Sequence, residues 1–83
     1  MAHRCHATRC SVPVPPEMFM CKRHWFRLPL RLRNSVWRTY RAGQCDDMQP
    51  SREYCEVARE CVVFLAEKEG ITPDTQLYDF FLR

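Results

Sequence analysis

Glycine is nearly absent from this chain, with two residues in 83. Without a glycine-rich stretch there is no phosphate-cradling loop, and nucleotide chemistry built on one is not expected. Long apolar runs are missing as well. The longest, Cys61 to Ala66, falls far short of the roughly 20 residues that span a bilayer. The first ten residues, MAHRCHATRC, hold no apolar core after their positive start, so no secretory signal is expected. A cytoplasmic chain follows, with its thiols reduced. Acid is scarce in one half: residues 1–44 carry a single acid, Glu17, against nine Arg and Lys. No histidine follows His24. No Ser-His-Asp set, paired carboxylates or activated Cys-His dyad is legible, so catalysis is not expected.

What is present is enough for one small domain. Hydrophobic residues make up 46% of the chain, including ten aromatics, too many for a disordered tail. A domain of this length buries only about 60% of its unfolded surface and often needs a staple. Six cysteines permit three disulfides arithmetically, but clustered cysteines in a reducing compartment more often bind metal.

Three cysteines and two histidines fall between Cys5 and Trp25, in CHATRCSVPVPPEMFMCKRHW. The spacing is Cys5-x4-Cys10, ten intervening residues, then Cys21-x2-His24. Two short-range pairs joined by a loop are the usual supply of four N and S ligands for a tetrahedral zinc ion. The two-residue gap puts Cys21 and His24 on one helical turn or a tight knuckle. Cys21 then sits near a helix start, where backbone amides favour its thiolate. Arg4, Arg9, Lys22 and Arg23 offset the net −1 of three thiolates, one neutral imidazole and a divalent ion. A thiolate-rich tetrahedral set selects zinc, and a closed set of four leaves the metal a structural role. His6 is an alternative to Cys5 or His24, and His3 a more remote one; the expected place for His6 is beside the ligands or at the surface. Cys45, Cys55 and Cys61 are not expected to bind. Cys61 lies on a helix core face, Cys55 is read as roughly opposite it, and Cys45 sits in a polar loop open to oxidation.

Residues 1–28 thus read as a zinc knuckle of coil or short hairpin. Residues 29–43 read as a helix that Pro29 opens and Gly43 ends. Residues 50–70 form a longer helix that Pro50 or Ser51 starts and Gly70 caps, with Ile71 supplying a hydrophobic cap contact. Residues 72–82 read as a short helical tail, with Thr72 as cap, Pro73 at the first position and Asp74 favouring the dipole. The expected fold is small and mainly α: the knuckle packed on two main helices, plus a short C-terminal helix.

At 100° per residue, Leu32, Val36, Trp37 and Tyr40 cluster on one side of the first main helix. Arg31, Arg38 and Arg41 lie opposite. Arg33 projects into the apolar side, where its stem can pack while its head pairs with an acid of the second helix. In that second helix Tyr54, Ala58, Cys61, Val62 and Leu65 form the apolar stripe, widened by Val57 and Phe64. Glu53, Glu56, Glu60 and Glu67 form a solvated face with local pairs to Arg52 and Arg59.

The string C-x4-C, loop, C-x2-H and aromatic resembles the small treble-clef-like zinc fingers of phage and bacterial proteins, some of which precede HNH endonuclease domains. More closely, the pattern CHAxxC…VPP…MCxxHW, continued by VWRTYRAGQ, is similar to small phage- and prophage-encoded zinc-binding proteins of uncharacterised function. The similarity covers about residues 5–54. It implies that Cys5, Cys10, Cys21 and His24 hold the metal, and it implies no activity. The nuclease pattern itself fails, because its paired catalytic histidines would have to follow His24.

The expected function is therefore non-enzymatic: a protein-interaction or regulatory module carrying one structural zinc ion. It has no membrane contact and no small-molecule substrate. The alternative is a sequence-tolerant nucleic-acid binder whose Arg23, Arg27, Arg31, Arg38 and Arg41 contact phosphates. In that case Trp25 and Phe26 stack on bases; otherwise Trp25, Phe26, Trp37 and Tyr40 are core. The tail residues Leu77, Tyr78, Phe80, Phe81 and Leu82 either dock on a partner or close the core. The halves carry +8 and −5, so they either meet within the fold or across a dimer, or leave the basic half for a polyanion.

Overall fold

A computed structural model of the chain describes residues 4–15, 18–40 and 51–82. Among these residues the architecture is four helices and a single β-bridge: α1 Lys22–Arg27, α2 Leu30–Thr39, α3 Arg52–Glu69 and α4 Gln76–Phe81. The small, mainly α fold read from the sequence is the fold observed. No helix is long and apolar enough to cross a membrane among the described residues.

The knuckle begins as the expected hairpin, reduced to its minimum. Arg4 and Pro13 form an isolated antiparallel bridge, and the Cys5 amide donates to the Val12 carbonyl. A tight turn closes it, with the Cys10 amide donating to the Ala7 carbonyl. Arg9 takes φ +64° to complete that turn, a left-handed conformation that costs a non-glycine residue about 1 kcal/mol. The His6 amide then ties the hairpin to Phe19, just ahead of Cys21.

Prolines and caps set the helix boundaries. Leu28 precedes Pro29, which disfavours helical backbone at Leu28; α1 stops there and Pro29 becomes the N-cap of α2. Helix α2 ends at Thr39 with Tyr40 as its cap, and the expected continuation to Gly43 lies outside the described residues. The Ser51 hydroxyl caps α3 by accepting from the Tyr54 amide. At the other end Gly70 adopts φ +70°. The Gly70 amide bonds the Glu67 carbonyl and the Ile71 amide bonds the Ala66 carbonyl, the pairing of a Schellman cap. Helix α4 starts later than its sequence signal. Thr72 and Pro73 do not open it; Thr75 is the N-cap, and the Asp74 carboxylate accepts from the Gln76 amide.

Helix α3 packs against both α2 and α4. Leu32, Cys55, Ala58, Cys61 and Val62 are completely buried, and Met20 and Leu28 of the knuckle are nearly so. The knuckle and the helices thus share one core. The tail closes the core in part: Tyr78 is buried and Leu82 packs on the core, while Leu77, Phe80 and Phe81 are exposed.

Several expected core positions differ. Trp37 is 68% exposed and Phe26 66% exposed. The buried stripe of α2 is Leu32, Val36 and Thr39, and at 100° per residue Trp37 lies about 140° from Leu32. Phe26 sits on a six-residue helix whose buried member is His24, and its ring lies under the Arg33 guanidinium instead. Trp25 and Tyr40 are half-buried. Cys55 is on the core side together with Cys61: six residues are about 600° of helix, which leaves them about 120° apart and not opposite. Arg33 finds no acid from α3 among the described residues. Its Nε donates to the Leu28 carbonyl at 3.3 Å.

Candidate metal centre

Each of the four residues is placed by a different local device. The hairpin supplies Cys5 and its closing turn supplies Cys10. Cys21 is the N-cap of α1 and His24 lies one turn in, with the Trp25 amide donating to the Cys21 carbonyl. The result brings one ligand atom from each of Cys5, Cys10, Cys21 and His24 within 4.8 Å of every other. Cys5, Cys21 and His24 are buried, and Cys10 is partly exposed.

The distances suit tetrahedral binding. Bonds of about 2.3 Å to sulfur and 2.0–2.1 Å to nitrogen place neighbouring ligand atoms about 3.5–3.8 Å apart at tetrahedral angles. Nδ1 of His24 lies 3.3 Å from the Cys21 sulfur and 3.7 Å from that of Cys5. Its other nitrogen, Nε2, is 2.8 Å from Oε1 of Glu69. An ionised carboxylate only accepts, so Nε2 carries the proton and the Nδ1 lone pair faces the sulfurs. That is the tautomer a metal requires, fixed by a carboxylate behind the ring.

The thiols are unequal. Burial, with help from the neighbouring Cys10, pushes the Cys5 thiol up to about 12. Burial pushes Cys21 in the same direction. The His24 backbone amide and ring and the two neighbouring thiols outweigh it, and the Cys21 thiol falls to about 7. Cys21 is therefore the readiest thiolate near neutral pH. A divalent ion reverses the penalty on the other sulfurs, since a coordinating thiol gives up its proton outright. The four residues can hold one metal ion.

Glu69 is the site residue that sequence reading missed. Its carboxylate is held below its usual range, first by the His24 hydrogen bond and further by the charges of Arg27 and Arg23. Arg27 also contacts it at 3.2 Å. A signal did exist. An acid in the last residue of a helix opposes the macrodipole, and Glu69 stands directly before the Gly70 cap. Such local conflicts tend to mark functional positions.

The remaining candidates fall elsewhere. The His6 Nδ1 shares a hydrogen bond with the Tyr78 hydroxyl, and its ring packs edge-on against Phe19; His6 is not a member of the four-residue cluster. Cys55 and Cys61 are buried in the core without a metal partner among the described residues. His3, Cys45 and Arg41 lie outside the described residues. Of the arginine set, Arg23 and Arg38 are exposed. Arg27 is engaged by Glu69, and Arg31 lies 3.5 Å from Glu60. The two oppositely charged halves therefore meet within one chain. No known protein family, curated protein or solved structure matches the sequence.

Proposed function

We propose that the protein is a small, cytoplasmic, non-enzymatic interaction module whose fold is held by one structural zinc ion on Cys5, Cys10, Cys21 and His24. Zinc is supported by the donor set, three sulfurs and one imidazole, and by the carboxylate that orients the ring. Four protein ligands leave no open coordination position for substrate, so the ion is a scaffold.

The observation that carries the interaction reading is exposed apolar surface. Trp37, Phe26, Leu30, Leu77 and Phe80 are each more than half exposed. Aromatic residues are enriched where proteins bind one another. Nucleic-acid binding is the second reading. It is favoured by six Arg and Lys and no acid across residues 22–39, and weakened by the ion pairs that engage Arg27 and Arg31.

Binding of generic duplex and single-stranded DNA across a salt series separates the two. Weak or salt-independent binding at low salt supports the protein-interaction reading. An affinity falling steeply with salt, with several phosphates neutralised per site, overturns it in favour of nucleic acid.

A further inference from the structure

An aromatic groove opens beside the knuckle, between α1, α2 and the start of α3. Buried Met20 and Val36 form its floor, and Trp25, Trp37, Tyr40 and Tyr54 form its walls. The rings meet edge to face in sequence: Trp25 with Trp37 at 6.1 Å, Trp37 with Tyr40 at 6.4 Å, and Tyr40 with Tyr54 at 6.3 Å. The cavity measures about 130 Å³. An apolar cavity of about 150 Å³ takes up benzene, so this groove suits one ring-sized group.

Charge decides what kind of chain presents that group. Helices α1 and α2, which supply Trp25, Val36 and Trp37, also carry Lys22, Arg23, Arg27, Arg31, Arg33 and Arg38 and no acid. Around Tyr54, α3 adds Arg52, Glu53 and Glu56, of which Arg52 and Glu56 pair with each other, so cations outnumber acids on the helices that line the groove's near end. Among the described residues no carboxylate lies within ion-pair distance of Lys22, Arg23 or Arg38. A cationic occupant, such as an alkylated ammonium in an aromatic cage, meets this field as a like charge. A neutral ring flanked by carboxylates does not.

Resting on the protein-interaction reading above, we propose that this groove is the docking site for one aromatic side chain of an acidic partner segment. The ring enters between Trp25, Trp37 and Tyr54, and the flanking carboxylates meet the exposed cations of α1 and α2. Trp37 is the contact residue most exposed before binding, and it is the kind of residue that dominates interface energetics.

The test uses the full chain in its metal-loaded form and a short synthetic peptide of Asp and Glu with one central phenylalanine. Binding is followed by amide and indole NMR shifts. The expected result is movement of the Trp25 and Trp37 indole signals, with affinity falling about tenfold when the phenylalanine is replaced by alanine or when Trp37→Ala is introduced. Arg38→Glu weakens the same peptide without unfolding the protein. Peptide shifts confined to Leu77, Phe80 and Phe81 overturn the groove but leave the interaction reading standing. Oligothymidylate binding more tightly than the peptide at the same indoles overturns both. No binding by either probe, or unchanged affinity in Trp37→Ala, overturns the groove.

Discussion

Nε2 of His24 and Oε1 of Glu69 are 2.8 Å apart, although 45 residues separate them in the chain. The contact joins the knuckle to the far end of the longest helix and fixes the nitrogen that faces the three sulfurs. Removing a partner that orients a ligand typically costs 10–100-fold in metal affinity. Glu69→Ala is expected to weaken zinc binding by about that factor, while His24→Ala removes the site. Glu69→Gln keeps a side-chain oxygen acceptor and lies between. Competition with a coloured chelator measures all three, and equal affinity for wild type and Glu69→Ala contradicts the role.

Arg9 gives a prediction from backbone geometry alone. Its φ of +64° is cheap for glycine and costs an L-residue about 1 kcal/mol. Arg9→Gly in the zinc-loaded protein is expected to raise stability by up to about 1 kcal/mol, and Arg9→Val to lower it by at least as much. Thermal unfolding reads both, and the reverse order contradicts the turn.

Leu32 and Phe26 are both large and apolar, but the first is fully buried and the second mostly exposed. Leu32→Ala is expected to cost about 2–5 kcal/mol. Phe26→Ala is expected to stay within about 0.5 kcal/mol. Denaturant titration separates them, and comparable losses would restore Phe26 to the core.

This contrast marks how far the sequence was legible. The ligand spacing of Cys5, Cys10, Cys21 and His24, the Ser51 start and the Gly70 cap were all readable, because each is a local pattern with a local physical cause. Positions at the edge of a helical stripe were not. Trp37 differs from its expected environment because a wheel of 100° per residue orders side chains around an axis without saying where the core begins, whereas the reading of Cys55 as opposite Cys61 fails on the wheel itself, which leaves them about 120° apart. Helix α4 was displaced because Asp74 supplied its turn from outside the helix, and its backbone amide was already taken by Thr8 of the knuckle. Glu69 could not be assigned before the fold set it against His24.

The buried cysteines give a chemical prediction. Burial raises the Cys55 thiol above its usual value and pushes Cys61 up to about 12. Neither offers thiolate at neutral pH, and neither is accessible. Iodoacetamide under native conditions is expected to spare both, and to label them only after unfolding. Rapid native labelling of Cys61, read by peptide mass spectrometry, contradicts the packing of α3.

Acid should loosen the tail. The Asp79 carboxylate accepts from the Thr75 hydroxyl and from Arg59, and these bonds, Thr75 first, hold it below its usual range. A depressed carboxylate adds stability above its unfolded value, about 3.9, and that stability is lost as pH falls through the folded value. The protection factors of amides in residues 76–81, measured against the intrinsic exchange rate at each pH, are expected to fall below about pH 4 in the wild type. In Asp79→Asn they are expected to be already lower at neutral pH. Wild-type protection factors that do not change with pH contradict the pairing.

Met20 and Leu28 are nearly sealed in the same core as Val62 and Leu65, so loss of the ion undermines the whole molecule and not the knuckle alone. Binding by structural zinc in small fingers is worth about 10–16 kcal/mol, against total stabilities of about 5–15 kcal/mol. Native mass spectrometry of the purified chain, repeated after chelation, is the most direct measurement. One zinc ion per chain, with a compact charge distribution that broadens when the ion is stripped, is the predicted result. A metal-free chain that stays compact, or a mass two hydrogens short with two of the Cys5, Cys10 and Cys21 sulfurs joined in a disulfide, would contradict it.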